Sequence, residues 1–383
     1  MSDTGARDLK IIVAERATGL RGELLYLSHA LHADPEIRWQ EHRSAELLAG
    51  ALEGFGFTVE RGAGGLETSF VATVGSGSRK IAFMAEYDAL EGLGHACGHN
   101  IISAAAVGAG AALAPLADAL GATVQVIGTP AEEGGGGKIH LIDAGIFDDV
   151  EIAMMVHPGP TDSVYARPFA VAHCDVAFEG FATHAAAYPS LGRNAADAFT
   201  IAQVAIGLLR QQLPSSVRVH GIVREAGMAP NAIPGSARGS WYVRASSLKE
   251  LETTFQKVRR CFEAGALATG CELAMVETSP RYSEFRNDEP LLRAFAANAA
   301  ARGLDLDLTE ERAGGMNTAS TDMGNVSQRL RAIHPYLSID SLPAVNHQAA
   351  FADASVMPRA DRTVIDGAVL LAQTAVDALF GEG

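Results

Sequence analysis

The chain has 383 residues, 48% of them hydrophobic, and so exceeds the roughly 250–300 residues at which a single core usually stops growing; two domains are expected. Thirty Lys and Arg against 45 Asp and Glu leave a formal charge of −15, which disfavours nucleic acid and anionic membrane surfaces as partners. The four cysteines make no dense framework, the N-terminus carries charges throughout rather than a signal-type apolar core, and no bilayer-crossing run is expected, so the expected location is cytoplasmic.

The first chemically suggestive element is the apolar run Lys80–Asp88, KIAFMAEYD, which reads as a buried strand. It leads to Gly94-His95-Ala96-Cys97-Gly98-His99-Asn100, with a thiol and an imidazole two residues apart. Loops at the carboxyl ends of strands hold ligands in open α/β sheets. Alone the pair carries little, since a free Cys is usually a small buried hydrophobe. A second apolar run, Ala122–Pro130, enters Ala131-Glu132-Glu133 and four glycines. Adjacent acids on an extended backbone point to opposite sides, and the glycines suit close backbone approach. A phosphate loop is set aside because Ile139 follows Lys138 where Ser or Thr is required. A third run, Glu151–Val156, delivers His157-Pro158.

From 168 to 282 the order reads strand, long helix, two strands, helix, strand, the split βαβ pattern. This segment is expected as an insertion, with 1–167 and 283–383 forming one discontinuous domain. Beyond it, LLRAFAANAAARG resumes a helical pattern, Gly314–Asn325 reads as a loop of small polar residues, and RTVIDGAVLLAQTAVDALF reads as a final amphipathic helix. His347 lies between the last two.

Together HACGHN, Glu86-Tyr87-Asp88-Ala89-Leu90, PAEEGGGGK, VHP at 156–158 and Asn346-His347 resemble the M20 metallopeptidase family, in this order and from about Leu25 to about Asp353. The closer likeness is to its amidohydrolase branch of aminobenzoyl-glutamate hydrolases, aminoacylases and dipeptidases. The chain departs from many relatives in having Glu86-Tyr87-Asp88 for Asp-Met-Asp and Asn100 for Asp. The resemblance implies an α/β fold, a central mixed sheet flanked by helices, with an inserted ferredoxin-like lid over 168–282 that also serves dimerisation.

It further implies two divalent ions, zinc or manganese, held by Cys97, His99, Glu133, His157 and His347, with Cys97 as the candidate bridge. Ligand softness alone leaves the metal open. In the implied reaction the ions lower the pKa of a shared water, Glu132 acts as general acid/base, and an amide bond is hydrolysed. His184 is implied as an oxyanion donor, in its own or a partner subunit, and Asn231 and Arg244 as holders of the substrate carboxylate. Asp88 is expected to orient a ligand or the base, and Asp322 to lie behind the ligands or be structural. The substrate class is an N-acyl or aroyl amino acid or a dipeptide, and the assembly a homodimer. Two other readings stay open: a cysteine hydrolase with Cys97 as nucleophile and His99 as base, and a non-catalytic ligand-binding homologue.

Overall fold

The computed structural model describes residues 3–304, 306 and 315–380; Gly314, the first residue of the expected small-residue loop, lies outside them. The chain divides into two compact units, Met1–Pro168 with Phe285–Gly383, and Phe169–Glu284.

The first unit opens with helices α1 (Asp3–Gly19), α2 (Arg21–Ala33) and α3 (His42–Gly54), followed by strands β1 (Thr58–Arg61), β2 (Phe70–Val74) and β3 (Arg79–Ala85). Then come α4 (His99–Leu113), β4 (Ala122–Gly128), α5 (Gly137–Asp143), β5 (Ile152–Met154) and β6 (His157–Gly159). The second unit contains β7 (Ala170–Glu179), α6 (Ala195–Leu209), β8 (Arg218–Glu225), β9 (Ser236–Ala245), α7 (Leu248–Thr269) and β10 (Glu272–Glu277). The chain returns to the first unit with α8 (Glu289–Ala301), α9 (Met323–Ser327), β11 (Arg331–Ile333), β12 (Tyr336–Ser338), α10 (Ala349–Ala354) and α11 (Pro358–Phe380).

In the first unit one six-stranded sheet has the order β1-β2-β4-β3-β5-β11. Its β4, β3, β5 and β11 are mutually parallel, whereas β2 runs antiparallel to both of its neighbours, β1 and β4, so the sheet is mixed as expected. All seven residues of β4 are buried, as they must be in a strand covered on both faces. A separate parallel pair, β6 with β12, sets His157 opposite Tyr336.

The second unit is a four-stranded antiparallel sheet of order β10-β7-β9-β8. Its strand–helix–strand–strand–helix–strand sequence therefore folds as two interleaved split βαβ units. Local chemistry sets the helix ends. Asn194 Oδ1 accepts from Ala196 N at the start of α6, and Ser247 Oγ accepts from Glu250 N at the start of α7, which stops at Gly270 in the left-handed region.

The core of the first unit is organised around α4, whose fifteen residues are all buried. Its run of Ala and Gly lets α2 and α11 approach closely. A Cβ at Gly108 would stand 2.6 Å from Leu24 Cδ1 and 2.8 Å from Ala368 Cβ. Contrary to the expectation that no span reaches membrane length, His99–Leu116 and Pro358–Phe380 are both long and apolar enough by length and composition. Both are instead largely buried among the helices and sheet of the first unit, because a helix covered on all sides needs apolar residues all round. Gly108→Val should therefore lower unfolding stability by about 1–3 kcal/mol through overpacking. An unchanged denaturation midpoint would show that α4 is not so tightly enclosed.

Candidate active site

The site is assembled from four separated segments of the first unit. β3 ends at Ala85, earlier than expected, and Cys97 and His99 follow a loop rather than the strand directly; His99 is the first residue of α4. Gly98 between them has φ 82°, and a Cβ there would lie 2.5 Å from Pro158 Cγ, so only glycine lets the two side chains turn toward one another beside His157.

His99 Nδ1 donates to the Asp88 carbonyl at 2.7 Å and lies 3.1 Å from Asp88 Oδ1. A carbonyl can only accept, so Nδ1 carries a hydrogen, and in the neutral ring Nε2 presents its lone pair. The second Asp88 oxygen accepts from Glu133 N at 2.9 Å, so one acid orients both the imidazole and the next segment. His157 is arranged the same way: Nδ1 donates to Pro158 O at 2.8 Å, and Nε2 lies 3.6 Å from Cys97 Sγ.

Glu132 and Glu133 occupy a turn rather than the extended backbone that would send them to opposite sides, and a carboxylate oxygen of each lies within 4.8 Å of the other. Glu132 Oε2 is 3.9 Å from His99 Nε2, and Glu133 Oε1 is 3.4 Å from His347 Nε2. The turn is held in a left-handed residue, Ala131 at φ 57°, whose N donates to the buried Glu41 Oε1 at 2.9 Å. His347 also has a positive φ, 68°, and its N donates to Ala96 O at 2.8 Å. Two strained non-glycine residues thus flank the cluster, each fixed by a hydrogen bond. The His347 side chain is 52% exposed, so the cluster opens to solvent on that side.

Three donor sets each bring their ligand atoms within 4.8 Å of one another: Cys97, His99 and His157; Cys97, Glu133 and His347; and His99, Glu132 and Glu133. Cys97 belongs to two of them. Thiolate, lone-pair imidazole and carboxylate are the donor types that zinc and other borderline divalent ions take. The buried His99 Nε2 has no hydrogen-bond partner, which fits a coordinating atom. These residues therefore fit a divalent metal.

The electrostatics follow from this crowding. Burial first, then Glu86, Glu133 and Asp322, push the Glu132 carboxyl well above the usual range. Burial would raise the Cys97 thiol as well, but His157, His347 and His99 outweigh it and hold it well below the usual thiol range. Glu86 and Asp322 share the fully buried Lys138, with Nζ 2.6 Å from Glu86 Oε1 and 2.7 Å from Asp322 Oδ1. Those two carboxylates outweigh burial and hold the Lys138 ammonium above its ordinary range.

His184, Asn231 and Arg244 belong to the second unit. His184 and Asn231 are neighbours, since Ala185 N donates to Asn231 O at 2.9 Å and His184 pairs with Ala232. His184 Nδ1 accepts from Ala186 N and Ala187 N at 3.2 and 3.1 Å, which leaves the ring hydrogen on Nε2. Arg244 lies near the far end of β9, eight residues beyond Ser236, which at about 3.3 Å per residue is about 26 Å along the strand. One chain does not bring Arg244 beside Asn231. Arg244 Nε instead donates to His220 Nε2 at 3.2 Å.

Sequence reading passed over Lys138, Glu86 as more than a departure from a motif, Glu41, and His334, whose buried ring lies 5.4 Å from that of His157. A signal existed for two of them: Glu86 is an acid inside an otherwise apolar run, and Lys138 is a cation following four glycines.

Soft and hard metal donors gathered around a carboxyl of raised pKa, on a mixed α/β sheet, define the class of metal-dependent hydrolases. Residues 80–362 match the profile of peptidase family M20/M25/M40. The Xaa-Arg dipeptidase of Mus musculus is 38% identical over 391 residues, covering 97% of this chain and 89% of the relative. One of the p-aminobenzoyl-glutamate hydrolase subunits of Escherichia coli K12 is 36% identical over 256 residues, 61% of this chain and 53% of that protein. Among solved structures, the Bacillus subtilis YXEP protein, described as a dinuclear metal binding peptidase from the M20 family, superposes with a TM-score of 0.68 at 21% identity, covering 94% of this chain and 99% of that one. The chain belongs to peptidase family M20/M25/M40, and with it to the metallo-amidohydrolases that act on linear amide or peptide bonds.

Glu41 offers a test of the electrostatics. Burial and the nearby Asp88 push its carboxyl up to about 7 from 4.5. The folded state therefore binds this proton more tightly than the unfolded one, and the associated stability, full below pH 4.5, is lost as pH rises through about 7. Glu41→Gln should flatten the fall in unfolding free energy over that window; an unaltered pH slope in denaturant titrations would refute the assignment.

Proposed function

We propose that the chain hydrolyses the amide bond of a dipeptide or an N-acyl or aroyl amino acid, using two divalent ions held by Cys97, His99, Glu133, His157 and His347, with Glu132 moving the proton. The observation that carries this reading is the meeting of these six side chains from four segments within the first unit. The Xaa-Arg dipeptidase and the p-aminobenzoyl-glutamate hydrolase found as relatives support the substrate class. Zinc suits the thiolate and imidazoles, and manganese the carboxylates.

When bound, divalent ions here would polarise the scissile carbonyl and make a water more acidic. The remaining steps belong to the chain. Cys97, which like His99 and Glu133 belongs to two donor sets, would be the bridging ligand, and its lowered pKa favours the thiolate that role needs. Asp88 holds His99 in the tautomer that presents Nε2. Glu132 accepts a proton from the attacking water, whose oxygen bonds to the carbonyl carbon. As the carbon–nitrogen bond breaks, Glu132 returns that proton to the leaving nitrogen, a transfer suited to a carboxyl of raised pKa. We assign the oxyanion-donor role to His184 Nε2–H, which its tautomer supports, and carboxylate-holding roles to Asn231 and Arg244, which would have to come from different protomers of a dimer to meet on one carboxylate.

The proposed assembly is a homodimer through the second unit, where β8 lies at a sheet edge and is mostly exposed. A cytoplasmic location accords with four cysteines that are all free.

Chelation should abolish hydrolysis across a panel of dipeptides and N-acyl amino acids that includes Xaa-Arg and p-aminobenzoyl-glutamate, and zinc or manganese should restore it. Glu132→Gln should lower kcat on the order of 10²–10⁴-fold while metal uptake persists. Full activity after chelation, abolished by Cys97 alkylation, would favour a cysteine nucleophile instead.

A further inference from the structure

Glu86 stands outside the ligand set, yet its carboxylate is closely confined. It follows β3 directly and is 1% exposed. Oε1 accepts from Lys138 Nζ at 2.6 Å, whereas Oε2 has no hydrogen-bond partner. Oε2 lies 3.6 Å from His99 Nε2, which also lacks one. Because His99 Nδ1 carries a ring hydrogen toward Asp88, both facing atoms present lone pairs when the ring is neutral, as a metal ligand must be. Two buried acceptors facing each other are unfavourable unless a cation or a water lies between them.

The spacing suits a cation. Two ligand atoms each about 2.0–2.2 Å from one ion, at angles of about 90–110°, are about 2.8–3.6 Å apart. Cys97 with His157 at 3.6 Å and Glu133 with His347 at 3.4 Å show the same spacing.

Lys138 explains why Glu86 holds this orientation. The ammonium, 0% exposed, is tied to Glu86 Oε1 on one side and to Asp322 Oδ1 at 2.7 Å on the other, and Lys138 N donates to Asp322 Oδ2 at 2.9 Å. No member of this triad can rotate away without leaving a buried charge unpaired. With Oε1 fixed, Oε2 is aimed at His99.

We propose that Glu86 is a further donor to the cation held by His99, directly or through one water, and that Lys138 is the positioning residue that aims it. This rests on the metal-centre reading above and adds a carboxylate that the family resemblance did not assign.

The test is metal binding by the full-length protein, stripped by chelation and titrated with zinc against a chromophoric chelator, with parallel cobalt absorption spectra. Wild type should take up two ions. Glu86→Gln, nearly isosteric and still able to accept from Lys138, should weaken one of them tenfold or more and shift the cobalt spectrum, as loss of a close metal partner does. Lys138→Met should weaken the same ion. If Glu86→Gln does not fold, Glu86→Asp, which keeps the charge but withdraws the oxygen, should show the same selective loss. Two ions bound with wild-type affinity and an unchanged cobalt spectrum in the Glu86 variant, even with a lowered Tm, would reduce the triad to a structural role and overturn this inference alone. Failure of wild type to bind zinc or cobalt would overturn the metal-centre reading and this inference with it.

Discussion

Crowded negative charge is the constraint on which the first unit depends. Glu86, Asp88, Cys97, Glu132 and Asp322 are all buried, and Glu133 is nearly so. Two unit charges 4 Å apart repel by about 4 kcal/mol even at an effective dielectric near 20. The chain offsets this in three ways. Lys138 is buried between two of the acids. His99, His157 and His347 face the thiol, and Asp88 directs its oxygens to His99 and to Glu133 N. Glu132, buried and close to Glu86, Glu133 and Asp322, favours its protonated form. The charge still uncompensated is what the proposed divalent ions would balance, and the raised pKa of Glu132 is what the proposed proton transfer would use.

The scaffold concentrates these groups because its central strands are parallel. β3, β4 and β5 point the same way, so the segments leaving their carboxyl ends emerge on one side. α4 then starts at His99 inside the core, and its Ala and Gly residues let neighbouring helices close around it. Backbone strain at Ala131 and His347 is tolerated because Glu41 and the Ala96 carbonyl hold those segments. Hydrogen bonds thus hold the donor segments in place, as preorganised electrostatics requires.

Much of this was legible in the chain. The apolar runs marked β3, β4 and β5, and the alternating segments of the inserted unit matched its four strands and two helices closely. Cys97, His99, the two acids and His157 were legible because each follows such a run within a few residues or one loop. Strand ends were less so: Glu86 to Asp88 were read as strand although β3 stops at Ala85, since burial continues beyond the ladder and hydrophobicity does not register hydrogen bonding. His99–Leu116 and Pro358–Phe380 reach membrane length only by mean hydropathy, since polar or charged residues interrupt their apolar runs.

The sequence by itself determined the strands and helices, the inserted unit and the kinds of donor available, since these depend on local periodicity and side-chain chemistry. Only the tertiary structure decided which donors meet. His347 reaches Cys97 across some 250 residues through one backbone hydrogen bond to Ala96, and Asn231 and Arg244, close in sequence, are separated by the length of a strand. Lys138 became the partner of Glu86 and Asp322 for the same reason. A buried charge is paired by whatever the fold brings within reach, and distance along the chain carries no information about that.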